Sequence, residues 1–343
     1  MNSFSCRLIV AIALSAALSL LALGGEELIV GRLTLVEATE DIPYPYWYYV
    51  PESVRDGRVA GLVWHATPGG TGPDDPVFWA GFDLPQFLAS RSGWAKPPIN
   101  LPEVHGLVFF SIAVARPDPS FYVTRPGIPL GCPDALSSLG NLDGYGESYR
   151  DPDLKALASI DDLKHRLTSS GIRFDPRLFL TGVYNGAEWA HRFALLHPAE
   201  VRAVAPVCGN VYTMPCEDLG DGPLPWPLGL AGFEALGRGL VDWESYLDVP
   251  HFVTASIHED VWYNEMTPEE QGIETVHLER YVTEFGAIPP ERAAAFAGEL
   301  AAAGVDCRLV WSEGGHGWID PVRLRVFEFF AGFELDTSPV ESP

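Results

Sequence analysis

The chain has 343 residues, of which 47% are hydrophobic, and this is enough for one large domain or two small ones. Its 46 acidic residues outnumber the 22 lysines and arginines, so the formal net charge is −24. Such a charge repels phosphate backbones and anionic surfaces, which argues against nucleic-acid binding. No cysteine or histidine spacing resembles a zinc site, and no phosphate-binding glycine loop is present. We therefore expect neither a metal nor another cofactor.

The first 24 residues have the pattern of a secretory signal peptide. Arg7 precedes an apolar run that continues to Leu23, and Ala22-Leu23-Gly24 offers small residues where a signal peptidase reads. The run has about 16 residues, whereas a spanning helix needs about 20, so an uncleaved anchor is the less favoured alternative. We expect cleavage near Gly24, export to the periplasm or the extracellular space, and no membrane span afterwards.

Short apolar runs bounded by glycine, proline or polar turns recur along the rest of the chain, and they predict strands buried on both faces. The runs are 28–36, 46–50, 61–65, 106–114, 177–182, 201–207, 251–257 and 307–311. Helical patterns lie between several of them, at 153–169, 187–197, 290–304 and 322–333. This alternation predicts an α/β fold with a doubly wound, mostly parallel sheet and helices on both of its faces.

Two long segments rich in proline and glycine, 116–150 and 209–249, interrupt this alternation. Each follows the end of a strand, so both are expected to lie as long loops or a partial cap over the carboxyl edge of the sheet. Open α/β sheets bind their ligands at that edge. We expect a single domain over 25–335 and a flexible tail at 336–343.

The segment Gly182-Val183-Tyr184-Asn185-Gly186 joins a predicted strand to a predicted helix. It matches the nucleophile elbow Gly-x-Ser-x-Gly, with tyrosine where serine is usual. The flanking stretches that also match are 49–52, 62–65, 175–177, 191–198 and 207–209. From about Tyr46 to Phe330, the chain resembles the esterase and polyhydroxybutyrate-depolymerase branch of the α/β-hydrolase superfamily.

The resemblance implies two further catalytic positions. His316, in a glycine-rich turn between the last strand and the last helix, corresponds to the catalytic histidine. The acid would follow the strand at 251–257, where Asp260 is preferred and Glu259 is the alternative. In such a triad the carboxylate orients the imidazole and stabilises its charged form.

The oxyanion loop would comprise His65, Ala66, Thr67, Gly69 and Gly70, together with the backbone of Asn185 at the elbow. Similar enzymes have His-Gly-Gly here, and their backbone N–H groups stabilise the developing negative charge. This chain has Ala66 in place of the first glycine and adds Pro68, which has no N–H. The imidazole side chains of His65, His191 and His197 are expected to serve packing and backbone hydrogen bonding.

Tyrosine at the elbow leaves several functions open. The favoured interpretation is an exported hydrolase-family protein that is catalytically impaired or non-catalytic and keeps its cleft for a small-molecule or polymer ester. The alternative is an active secreted carboxylic ester hydrolase that uses an unusual nucleophile with His316 and Asp260. A purely structural exported protein is a third hypothesis.

Four cysteines remain after the signal sequence. Cys132, Cys208 and Cys216 each follow a strand's carboxyl end, so we expect Cys208 or Cys132 to form a disulfide with Cys216. Cys307 opens a strand at the opposite edge and is expected to stay unpaired.

Overall fold

The computed structural model describes residues 28–66, 89–90, 99–114, 151–236, 239–259, 274–313 and 320–336. The strands are β1 Thr34–Val36, β2 Tyr46–Tyr49, β3 Ala60–Ala66, β4 Ala89–Ser90, β5 Ile99–Asn100, β6 Leu107–Ile112, β7 Phe174–Val183, β8 Val201–Val207, β9 His251–Ser256 and β10 Cys307–Ser312. The α-helices are α1 Leu101–His105, α2 Pro152–Ser169, α3 Asn185–Leu196, α4 Trp243–Leu247, α5 Thr275–Phe285, α6 Pro289–Ala303 and α7 Asp320–Ala331. Short 3-10 turns lie at Glu52–Asp56, Pro198–Glu200 and Phe233–Leu236.

Eight strands form one sheet in the order β1-β2-β6-β3-β7-β8-β9-β10. Strand β2 is antiparallel to both of its neighbours, and the pairings from β6 through to β10 are parallel. Strands β4 and β5 form a separate antiparallel pair. The predicted mostly parallel sheet is confirmed, and β3, β7 and β8 lie at its centre.

The sheet separates two hydrophobic cores because successive side chains of a strand point to opposite faces. On β7, Leu178 and Leu180 contact the core that includes the four helices α2, α3, α5 and α6, together with Tyr246 of the short α4, and we call this side the four-helix face. Phe179 and Val183 contact the core beneath α1 and α7, the two-helix face. Burial on both faces explains why the central strands are continuous apolar runs rather than alternating ones.

The chain after β8 contributes to the core of the domain. Val211, Tyr212, Met214, Leu224 and Leu228 are buried on the four-helix face, although the sequence predicted a loop or cap over 209–249. The other predicted loop, 116–150, lies outside the described residues, as do the expected signal sequence and the tail beyond residue 336. Within the described ranges, no helix is both long and apolar enough to cross a membrane.

The predicted Cys208–Cys216 disulfide is wrong, because neither of these two sulfurs is part of a disulfide bond. Cys208 packs in the core of the two-helix face and Cys216 packs against the four-helix face, so the two thiols belong to opposite sides of the sheet. The other proposed partner of Cys216, Cys132, lies outside the described residues. Cys307 carries a free thiol.

Candidate active site

Tyr184 lies at the junction of β7 and α3, as the sequence predicted. Its backbone has φ 54° and ψ −115°, a conformation that a bulky side chain rarely adopts. The Tyr184 N–H donates to the carbonyl of Val207 at 3.1 Å, and its carbonyl accepts from Ala187 and Glu188 at 3.0 and 3.1 Å. Bonds to the neighbouring strand and to the helix therefore hold this strained turn.

Gly182 explains why the junction needs glycine. A Cβ at this position would collide with the backbone carbonyl of Gly186 and lie 2.8 Å from the carbonyl oxygen of Ala66. Strand β7, the first turn of α3 and the end of β3 therefore meet with no room for a side chain. Such close contact is what the glycines of a nucleophile elbow provide.

The side chain of Tyr184 is half-buried and packs against the core of the two-helix face. Parallel register pairs Val183 with Val207, so the next residues along the two strands, Tyr184 and Cys208, are neighbours at the carboxyl edge. Cys208 is buried and also has a positive φ of 50°. Two adjacent strands thus end in strained, non-glycine turns at this edge.

His65 and Ala66 end β3 beside the elbow, with Ala66 in register with Gly182. Burial lowers the pKa of His65 to about 3, and the positive charge of Arg323 contributes to the decrease. The His65 imidazole is therefore neutral at ordinary pH and is not poised to act as a general base. The predicted loop residues Thr67, Gly69 and Gly70 lie outside the described residues.

Asp260 and His316 also lie outside the described residues, so their convergence with Tyr184 stays a prediction. The alternative acid, Glu259, is described and lies after β9. Burial raises the pKa of Tyr212 far above its ordinary value, and the Cys208 thiol and the Glu259 carboxylate raise it further. Burial lowers the pKa of Arg292, and the Glu259 carboxylate acts in the opposite direction. Glu259 is thus near buried groups of the four-helix face.

His191 on α3 and His197 directly after it have the packing roles expected from the sequence. His191 is buried, and its two ring nitrogens bond to the carbonyl of Ala187 at 3.0 Å and to the N–H of Thr213 at 2.9 Å. His197 bonds through Nε2 to Asp153 at 2.9 Å. Among the described residues, no group of three or more histidine, cysteine or acidic side chains could hold a metal ion.

Sequence reasoning missed the buried polar residues beside the elbow, of which Glu188 and Arg192 on α3 form an ion pair at 3.5 Å. Their spacing of four residues was visible, but the same spacing is common on solvent-facing helix surfaces.

No protein-family model matches the chain, and no curated protein matches it either. Among solved structures, it is similar to poly(aspartic acid) hydrolase-1 from Sphingomonas sp. KT-1, with 14% identity, a TM-score of 0.54, and 89% of this chain and 99% of that one covered. A Pyrobaculum calidifontis esterase gives 12% identity, a TM-score of 0.46, and 96% and 92% coverage. Carboxyl esterase 2 from Tuber melanosporum gives 12% identity and a TM-score of 0.46, with 88% of this chain and 89% of that one covered. At such low identity the likeness concerns the fold alone.

Proposed function

We propose that this chain, which has the α/β-hydrolase fold, is an exported protein of esterase or depolymerase ancestry that has lost the ordinary serine mechanism. Its cleft at the carboxyl edge then serves to bind a small or polymeric ester rather than to hydrolyse one. The observation that carries the proposal is the elbow itself, in which Tyr184 occupies the strained position where a nucleophile is presented.

The length of the tyrosine side chain argues against direct substitution for serine. A serine Oγ is one bond beyond Cβ, whereas a tyrosine hydroxyl stands about 6.5 Å from its own Cα. The half-buried ring of Tyr184 packs against the two-helix face, and the backbone is fixed by bonds to Val207, Ala187 and Glu188. The tyrosine hydroxyl therefore lies beyond the point that a serine hydroxyl would occupy on this turn, and it cannot take that place.

The oxyanion side of the site supports the same conclusion. Ala66 ends β3 against Gly182, and Pro68 follows two residues later without an N–H to donate. Loss of one oxyanion donor reduces turnover by about 100- to 1000-fold. The sequence thus departs from the family pattern both at the nucleophile position and in the oxyanion loop. Two such departures support a loss of activity more strongly than a single substitution would.

Charge narrows the class of ligand. The similar structure from Sphingomonas is named for hydrolysis of poly(aspartic acid), a polyanion. A chain of net charge −24 repels such a polymer at long range, so we favour an uncharged ester.

The experiment compares the mature wild-type chain with Tyr184→Ser and Tyr184→Phe. Each is treated with a fluorophosphonate probe and assayed on short- and long-chain acyl esters. We expect no labelling of the wild type or of Tyr184→Phe. Tyr184→Ser is expected to gain labelling at residue 184 with weak turnover, because the oxyanion loop stays unchanged.

Two outcomes would overturn the proposal. Robust wild-type hydrolysis that Tyr184→Phe abolishes would identify the phenol as the nucleophile. Robust hydrolysis that survives in Tyr184→Phe would point to another nucleophile, and Cys208→Ser then tests the neighbouring thiol.

A further inference from the structure

Residues 210–214 form a buried segment outside any helix or strand, directly after the Cys208-Gly209 turn beside the elbow. Buried irregular backbone is uncommon, because every N–H and C=O group removed from water needs a partner. Here most of the partners are side chains rather than a neighbouring strand.

Helix α3 supplies three of these side chains from one face. Glu188 Oε1 accepts from the N–H of Val211 at 2.8 Å, and His191 Nε2 accepts from the N–H of Thr213 at 2.9 Å. Arg192 donates through Nε to Thr213 Oγ1 at 2.9 Å and through Nη2 to the carbonyl of Val211 at 3.4 Å. The elbow helix thus fixes two alternate residues of the segment.

Helix α5 holds Tyr212, which lies between Val211 and Thr213, and helix α6 holds Asn210, which precedes them. The Tyr281 hydroxyl accepts from the N–H of Tyr212 at 3.0 Å and donates to its carbonyl at 2.8 Å. Arg292 donates to the backbone and side-chain oxygens of Asn210 at 2.7 and 2.6 Å. In turn, the Tyr212 hydroxyl accepts from the N–H of Gly209 at 3.1 Å, which links the segment to the turn beside Tyr184.

One of these bonds depends on protonation. The N–H of Thr213 can only donate, so His191 Nε2 must carry no proton, and Nδ1–H donates to the carbonyl of Ala187. If Nε2 were protonated, its N–H would face the N–H of Thr213, and two donors cannot form a hydrogen bond with each other. Burial lowers the pKa of His191 well below its ordinary value, and Arg192 on the same helix and His251 on β9 lower it further.

The surroundings of the ring favour the neutral form. The Tyr212 and Phe296 rings pack 5.4 and 5.2 Å from the imidazole, centroid to centroid. The nearby carboxylate of Glu188 pairs with Arg192 and accepts from Val211. Protonation of His191 therefore requires the 210–214 segment to move away from α3.

We propose that neutral His191 is a positioning residue through which acid releases the 210–214 segment and, with it, the Cys208-Gly209 turn, so that the cleft loses its ligand at low pH. The functional consequence rests on the proposed binding role of the cleft, since this turn borders the elbow. The release itself depends only on the hydrogen bond between His191 and Thr213.

The test measures hydrogen–deuterium exchange of peptides that cover 210–214 between pH 7.5 and 4.5, corrected for intrinsic exchange rates. The wild type is compared with His191→Gln, which offers an acceptor of similar reach that does not titrate, and with His191→Leu, which has none. A peptide from α2 reports global opening. Because one proton is taken up on release, we expect wild-type opening to increase about tenfold per pH unit below about 6.5.

We expect His191→Gln to keep the segment protected with no such pH dependence, and His191→Leu to exchange rapidly at both ends of the range. Equal pH dependence in the wild type and His191→Gln would overturn the inference. So would opening of the segment only together with α2. Neither readout requires turnover or ligand, so failure here is distinguishable from failure of the proposed binding function.

Discussion

At the scale of single residues, Gly182 leaves no room for a side chain. Gly182→Ala places a methyl group against the carbonyl of Gly186 and 2.8 Å from the Ala66 oxygen, and neither backbone group can move without shifting β3 or α3. We expect the substitution to lower the free energy of unfolding by about 3 kcal/mol, as other overpacked positions do. Urea denaturation monitored by circular dichroism measures the change.

Gly298→Ala is the matched control. Gly298 lies inside α6, is exposed, and a Cβ there would meet no atom within 4 Å. Alanine is a better helix former than glycine, so this variant is expected to gain about 0.5–1 kcal/mol. A Gly182→Ala protein as stable as the wild type would show that β7 and α3 are not in the close contact described.

At the scale of elements, most strands could be predicted because a strand buried on both faces is a continuous apolar run. The run 201–207 coincides with β8, and β3, β7, β9 and β10 differ from prediction by a few residues at their ends. Helix α5 was missed, although Leu278, Tyr281 and Phe285 recur at helical spacing and are buried. No sequence pattern distinguishes the polar face of α3, with Glu188 and Arg192, from a solvent-facing one, because its burial depends on residues 19 to 23 positions away.

The amino end of β7 carries a buried carboxylate that joins three parts of the chain. Asp175 is fully buried, accepts from the N–H groups of Arg177 and Asp336 at 3.0 and 3.2 Å, and lies 3.8 Å from Arg202 Nε on β8. Asp175→Ala leaves these donors without their acceptor, so we expect a loss of about 3 kcal/mol in unfolding free energy.

Asp175→Asn retains one oxygen acceptor and is expected to lose less than Asp175→Ala. Asp56→Ala, at an exposed position, serves as the control and is expected to stay within about 0.5 kcal/mol of the wild type. Chemical denaturation of the three variants ranks them, and equal effects of Asp175→Ala and Asp56→Ala would contradict the assignment.

At the scale of the whole molecule, three buried histidines make the fold sensitive to acid. Burial lowers the pKa of His65 to about 3 and of His251 to about 4, and that of His191 well below its ordinary value. The unfolded chain protonates all three near about pH 6.5, so their contribution to stability is complete above that pH and is lost as the pH falls toward the folded values. Near pH 5, these three imidazoles together take up about three protons on unfolding, and this contributes a slope of about 4 kcal/mol per pH unit.

Denaturation curves between pH 7 and 4.5 give this slope. Substitution of His251 by glutamine is expected to remove about one third of it, whereas His258→Gln, at an exposed position, leaves it unchanged. A slope that stays the same in both variants would mean that the buried imidazoles do not control acid unfolding.

The side chains that hold residues 210–214 come from distant parts of the chain, and this has a consequence for the order of folding. Tyr281 and Arg292 reach back over 69 and 82 residues to bond Tyr212 and Asn210. Both partners lie on helices that follow β3, β7 and β8 in the chain, so these bonds cannot form until that later part has been synthesised. During synthesis the sheet can therefore begin to assemble around β3, β7 and β8 before the segment beside the elbow has its final conformation. That conformation must wait until α5 and α6 have been made and have docked.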